Sequence, residues 1–174
     1  RAISQRFTDQ KLSPQAIFHR GHSFHARHTI RAIPVSARLI SLGSCGGYNN
    51  IRAVLDKAPG AHIISTKATG TMTVNDPLFK LLNDTIRAGT TLHWPSFWTR
   101  AEQALGRNGA FGSYVAPHKN LGAMFLKAYR EQLGAAQPSP RGALELPRAP
   151  GIEEVVGIAD GSISTSSRLQ LGAL

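Results

Sequence analysis

Cysteine is nearly absent from this chain: Cys45 is the one thiol in 174 residues. An internal disulfide framework is therefore excluded, and no redox compartment is encoded by one. Long apolar runs are also missing. None approaches the ~18 residues that a membrane-spanning helix needs, so no membrane partner is expected. No basic-then-apolar leader pattern opens the chain either, and a cytoplasmic setting is the default expectation. The first residue is Arg1 rather than Met, which reads as a processed product or a fragment. Acidic residues are scarce, with 10 Asp plus Glu against 20 Lys plus Arg. Residues 1–134 carry 17 of the basic and 6 of the acidic groups, so the whole excess lies there. Such a field suits nucleic acid or an anionic ligand. It equally suits a solvated basic surface, or one half of a protein whose other half is acidic.

What is present reads as one α/β domain over 1–134, followed by a Pro-, Gly- and Ala-rich flexible tail over 135–174. "PQAIFH" is a short apolar strand that runs into a loop at Gly21. "SFHARHTIRAIP" is a helix with Ser23 as N-cap and Pro34 as its stop. "ARLISLGSC" is the clearest strand, and "GYNNIRAVLDKAPG" a helix after it. "AHIISTKATG" is a third strand. "NDPLFKLLNDTIRAG" is the best helix, with Asp76 as N-cap, Pro77 in the first position and Gly89 as C-cap. "PSFWTRAEQALG" and "HKNLGAMFLKAYREQLG" are two more helices. Strands alternating with helices imply a parallel sheet with covering helices, and functional residues of such sheets gather at the carboxyl ends of the strands.

Four histidines, His19, His22, His25 and His28, recur at three-residue intervals, and Cys45 lies seventeen residues past the last of them. The spacing places His25 and His28 on one helix face, where a two-histidine metal pair is chemically feasible. No carboxylate lies between Asp9 and Asp56, however, and Arg20, Arg27 and Arg31 add repelling charge, so no metal or cofactor is expected. His22 and Cys45 each fall just past the end of one of two successive strands. On neighbouring strands they share a rim, where a histidine can take the proton of a thiol. Gly43, Gly46 and Gly47 flank the cysteine and let peptide N–H groups converge on one spot. The alternative for a lone cysteine is a small buried hydrophobe.

"RGHS" after one apolar strand and "LISLGSCGG" after the next resemble the His-Gly and Ser/Ala-Cys motifs of the caspase–separase–CHAT superfamily of cysteine peptidases. "GAHIISTKATGTMTVNDPLFKLLNDTIRAG" resembles the segment that follows in CHAT and separase members. Together the likeness covers roughly residues 14–89. It implies a three-layer, parallel-sheet caspase-like domain; only about a dozen residues precede the histidine strand, so the chain reads either as a fragment truncated at the N-terminus or as a reduced version of that fold. It implies His22 as catalytic base and Cys45 as nucleophile, with the Ser23 and Cys45 N–H groups as oxyanion hole. Gly21, Gly46 and Asp76 would line the substrate pocket, and a protein or peptide would be the substrate, with a basic residue favoured at P1 if Asp76 faces it. The chain departs from the pattern at Ser23, where the family has Gly, and in the 22 residues between His22 and Cys45, a short separation.

Two other readings remain open from sequence. "GSCGG" between a strand and a helix would suit a phosphate cradle, and Trp94, Phe97 and Trp98 near Arg100 would suit stacking on bases. Both belong to a non-catalytic α/β module that binds an anionic ligand or nucleic acid. The helical spacing of the three aromatics equally describes a buried face.

Overall fold

A computed structural model describes residues 2–89, 91–135, 155–159 and 162–165. A first helix, α1 (Ala2–Asp9), leads into β1 (Ala16–His19), α2 (Ser23–Ala32), β2 (Leu39–Leu42), α3 (Ile51–Lys57) and β3 (His62–Thr66). Then come α4 (Met72–Arg87), α5 (Trp94–Leu105), the short β4 (Tyr114–Val115) and α6 (Leu121–Ala135). Two further strands, β5 (Val155–Ala159) and β6 (Ser162–Thr165), complete the described elements.

The strands form one mostly parallel sheet in the order β4-β3-β2-β1-β5-β6. β3, β2, β1 and β5 run parallel, and β4 and β6 are antiparallel edges. Ile17 pairs with Ile40 and Ile40 with Ile63, while His19 pairs with Leu42 and Leu42 with Ser65. All four residues of β1 and of β2 are buried, as expected of parallel strands covered on both faces.

Alternation along the strands divides the core in two. Ala16, Phe18, Leu39 and Ile64 meet Val74, Leu78 and Leu82 of α4 and Trp94, Phe97 and Trp98 of α5. Ile17, Ile40, Leu42 and Ile63 meet Ile30 of α2, Val54 and Leu55 of α3, and Ala123 and Leu126 of α6. The three aromatics of α5 are therefore core, and no face of them is left for stacking on bases.

Boundaries shift where local chemistry outweighs the simplest cap rules. Ser23 is the first residue inside α2, and His22 holds the N-cap position without a side-chain cap bond. Asp76 is likewise no N-cap, because α4 starts at Met72 after Thr71 and runs through Pro77. A proline there withholds the N–H that Thr73 O would receive. The Asn108 side chain approaches that carbonyl instead, at 3.5 Å, and donates to Thr73 Oγ1 at 3.1 Å. The extra first turn is also held by buried Val74 and Asn75. Of the segment read as a tail, Ala135 closes α6, 155–159 and 162–165 supply β5 and β6, and 136–154, 160–161 and 166–174 lie outside the described residues.

Candidate functional site

The two sequence candidates follow the carboxyl ends of β1 and β2, adjacent strands of the sheet, and so share one rim. β1 ends at His19 and β2 at Leu42, which are register partners. His22 follows three residues after the first and Cys45 three residues after the second. Both side chains are exposed, and neither makes a hydrogen bond among the described residues.

The turn that carries Cys45 is held from below. Gly43 N donates to His19 O at 2.8 Å, which carries the sheet register one residue past β2. Gly46 N donates to Ala68 O at 2.9 Å. Gly47 N reaches Thr66 Oγ1 at 3.1 Å, and Thr66 in turn donates toward Ser44 O. Gly46 sits at φ +63°, the left-handed region that glycine enters without steric cost. These bonds consume the donors of Gly43, Gly46 and Gly47, so a phosphate cradle at "GSCGG" lacks its glycine N–H groups. The Cys45 N–H, in contrast, has no acceptor among the described residues. Ser23 N, at the start of α2, is likewise unpaired, as first-turn N–H groups are.

A second layer packs on this turn from β3, α4 and β4. A Cβ at Gly70 would collide with the Gly43 carbonyl, so the loop after β3 lies directly against the cysteine turn. Asn75, fully buried, donates from Nδ2 to Gly43 O at 3.0 Å. Its Oδ1 accepts from Tyr114 Oη at 2.9 Å, and Tyr114 Oη accepts from Thr71 N at 3.0 Å. Burial pushes the Tyr114 phenol above its usual pKa; the Thr71 hydrogen bonds oppose this, and the nearby Cys45 and Asp76 add to it.

His19 anchors the histidine side. It is buried, with Nε2 3.2 Å from His22 O and Nδ1 2.9 Å from Thr29 Oγ1. A carbonyl only accepts, so Nε2 carries the hydrogen and Nδ1 of a neutral ring accepts from Thr29. His19, three residues before the candidate base, thus fixes the backbone of that base to α2. His25 and His28 stand on α2 with ring centroids 6.3 Å apart. No group of three His, Cys, Asp or Glu side chains is disposed around a common metal position among the described residues. Arg20, between β1 and Gly21, forms an ion pair with Asp76 of α4, tying the histidine loop to the helix that supports the cysteine turn.

Sequence reasoning singled out His22, Cys45, Ser23, Gly21, Gly46 and Asp76 as candidates, named His19 without giving it a role, and passed over Asn75, Tyr114 and Gly70. His19 carried a legible signal, as a polar residue ending an otherwise apolar strand. Asn75 and Tyr114 act through contacts 32 and 39 residues distant in the chain, which no local pattern encodes. A groove of about 490 Å³ lined by Phe7, Leu12, Arg31 and Pro34 opens at the opposite rim, where β1 and β2 begin.

No protein-family model matches the chain, and no curated protein or solved structure gives a significant match.

Proposed function

We propose that the chain is a cysteine-peptidase-like hydrolase, with a Cys45–His22 dyad that transfers an acyl group from a peptide bond. One observation carries this reading: an exposed thiol and an exposed imidazole follow register-paired ends of adjacent parallel strands, with two N–H groups that have no acceptor among the described residues. Such rims are where α/β sheets place their reactive groups. Active-site hydrogen bonds are commonly long in an unliganded enzyme and tighten with substrate.

In the proposed reaction His22 takes the proton of the Cys45 thiol, and Sγ attacks the substrate carbonyl carbon. The Ser23 and Cys45 N–H groups hold the oxyanion; losing one such donor typically raises the barrier by about 3 kcal/mol. Collapse breaks the C–N bond as His22 returns the proton to the leaving amine. Water then hydrolyses the thioester, with His22 as base again. Gly21 and Gly46 leave room for the substrate backbone. Asp76 supplies an acidic wall, and a basic P1 side chain would take the place that Arg20 holds in the free protein.

The test uses chloromethyl ketone peptides with Arg or Ala at P1, read by intact mass. A single adduct on Cys45 that forms faster with the Arg peptide and is abolished in His22→Ala is expected. Equal labelling in both proteins would defeat the proposal. For peptide hydrolysis, Cys45→Ser should lower kcat/KM by about 10³-fold or more.

A further inference from the structure

The outer face of α6 is apolar and exposed among the described residues. Leu121 is 72% exposed, Met124 50%, Phe125 68%, Tyr129 51% and Leu133 53%. The inner face of the same helix is satisfied: Ala123 and Leu126 join the core, Lys127 donates to Gly60 O, and Arg130 donates to Leu55 O and pairs with Asp56. By their exposure the five outer side chains offer on the order of 500 Å², as large as the largest apolar patch on a typical monomer.

We infer that this face is an interface with a second copy of the same chain, formed by two α6 helices packed antiparallel about a two-fold axis. Leu121, Phe125, Tyr129 and Leu133 recur every four residues, and the row is symmetric about position 127. Antiparallel apposition through that point sets Leu121 against Leu133 of the partner and Phe125 against Tyr129, in both directions at once. Self-complementarity of this kind is what a two-fold interface demands. Rows spaced by four residues also interdigitate in the commonest helix-packing class, at about −50°. Phe125 and Tyr129 already stack with ring centroids 6.2 Å apart and planes 11° from parallel, so the aromatic ledge is formed before association. Two of the helix's three charges, Lys127 and Arg130, are drawn inward to α3 and the loop after it, and the third, exposed Glu131, is not part of the four-residue row. Two copies of the patch bury about 1,000 Å², the lower end for specific interfaces, so the dimer should be reversible and concentration-dependent.

The test is sedimentation of the intact chain over a wide concentration range. A monomer–dimer equilibrium is expected. Phe125→Glu and, separately, Leu133→Glu should each weaken it at least about tenfold with unchanged circular dichroism, whereas Val35→Glu, which charges an exposed apolar residue elsewhere, should not. In a Cys45→Ser background, mixing Phe125→Cys with Tyr129→Cys should give more disulfide-linked dimer than either variant alone. A protein monomeric at every concentration would overturn the inference, whether or not its own chain covers the helix. A dimer indifferent to Phe125→Glu and Leu133→Glu would do the same.

Discussion

At the scale of single residues, the candidate site rests on a few buried polar groups whose loss should be measurable. Asn75 satisfies the Gly43 carbonyl and accepts from Tyr114. Asn75→Ala strands both, and a buried polar group left unpaired costs about 1–3 kcal/mol; chemical denaturation should report a loss of that order. The same experiment on Tyr114→Phe should give a smaller loss, with one further signature. The Tyr114 phenol is held by burial above the ordinary tyrosine value of about 10 when folded, so its stabilising contribution is complete below about pH 10 and falls as pH rises through the folded pKa. Stability of the native protein should therefore decline in that alkaline window, and Tyr114→Phe should flatten the decline. Sequence could point to His22 and Cys45 because strand-end position and flanking glycines are local properties. It could not assign Asp76, since its place in α4 depends on Asn108 supporting a helix that begins before Pro77.

Among the elements, β1, β2, β3 and the helices from α2 to α6 are legible as apolar runs and 3.6-residue stripes, because burial dictates both patterns. Short or composite elements are not. β4 spans two residues in a glycine-rich segment, and a 3-10 turn over Gly47–Asn50 precedes α3. Neither has enough length to show a period. β5 follows the Pro-, Ala- and Gly-rich stretch that ends at Gly151 and is itself only five residues long, too short to show a period, yet it pairs in parallel with β1 from Val155 to Ile158. Without that pairing β1 becomes an edge, with a free row of backbone groups. A chain ending at Ala135 should therefore show faster amide exchange across Ala16–His19 than the intact chain. Unchanged exchange there would show that β5 does not protect β1. The loop after β3 is tested by Gly70→Ala, whose added methyl would meet the Gly43 carbonyl. The cysteine turn must then shift, and alkylation of Cys45 should change even if the fold survives.

Viewed whole, the molecule is a two-sided core that positions one rim. Leu78 and Leu82 of α4 are fully buried against the sheet and α5. Leu82→Ala should cost about 2–5 kcal/mol by loss of transfer energy and creation of a cavity, read as a lowered denaturation midpoint. The net charge of +10 acts at this scale as well. Two such copies repel, and salt screens the repulsion over about a Debye length, so association through α6 should strengthen as salt rises. Among the described helices none is long and apolar enough to cross a membrane.

The pH dependence of Cys45 alkylation by iodoacetamide, in the intact protein and in His22→Ala, tests the central claim most directly. The dyad predicts that Cys45 reacts at neutral pH several-fold faster than a free cysteine, and that removing His22 returns it to the free rate. A thiol no more reactive than free cysteine, or one indifferent to His22, would contradict the account.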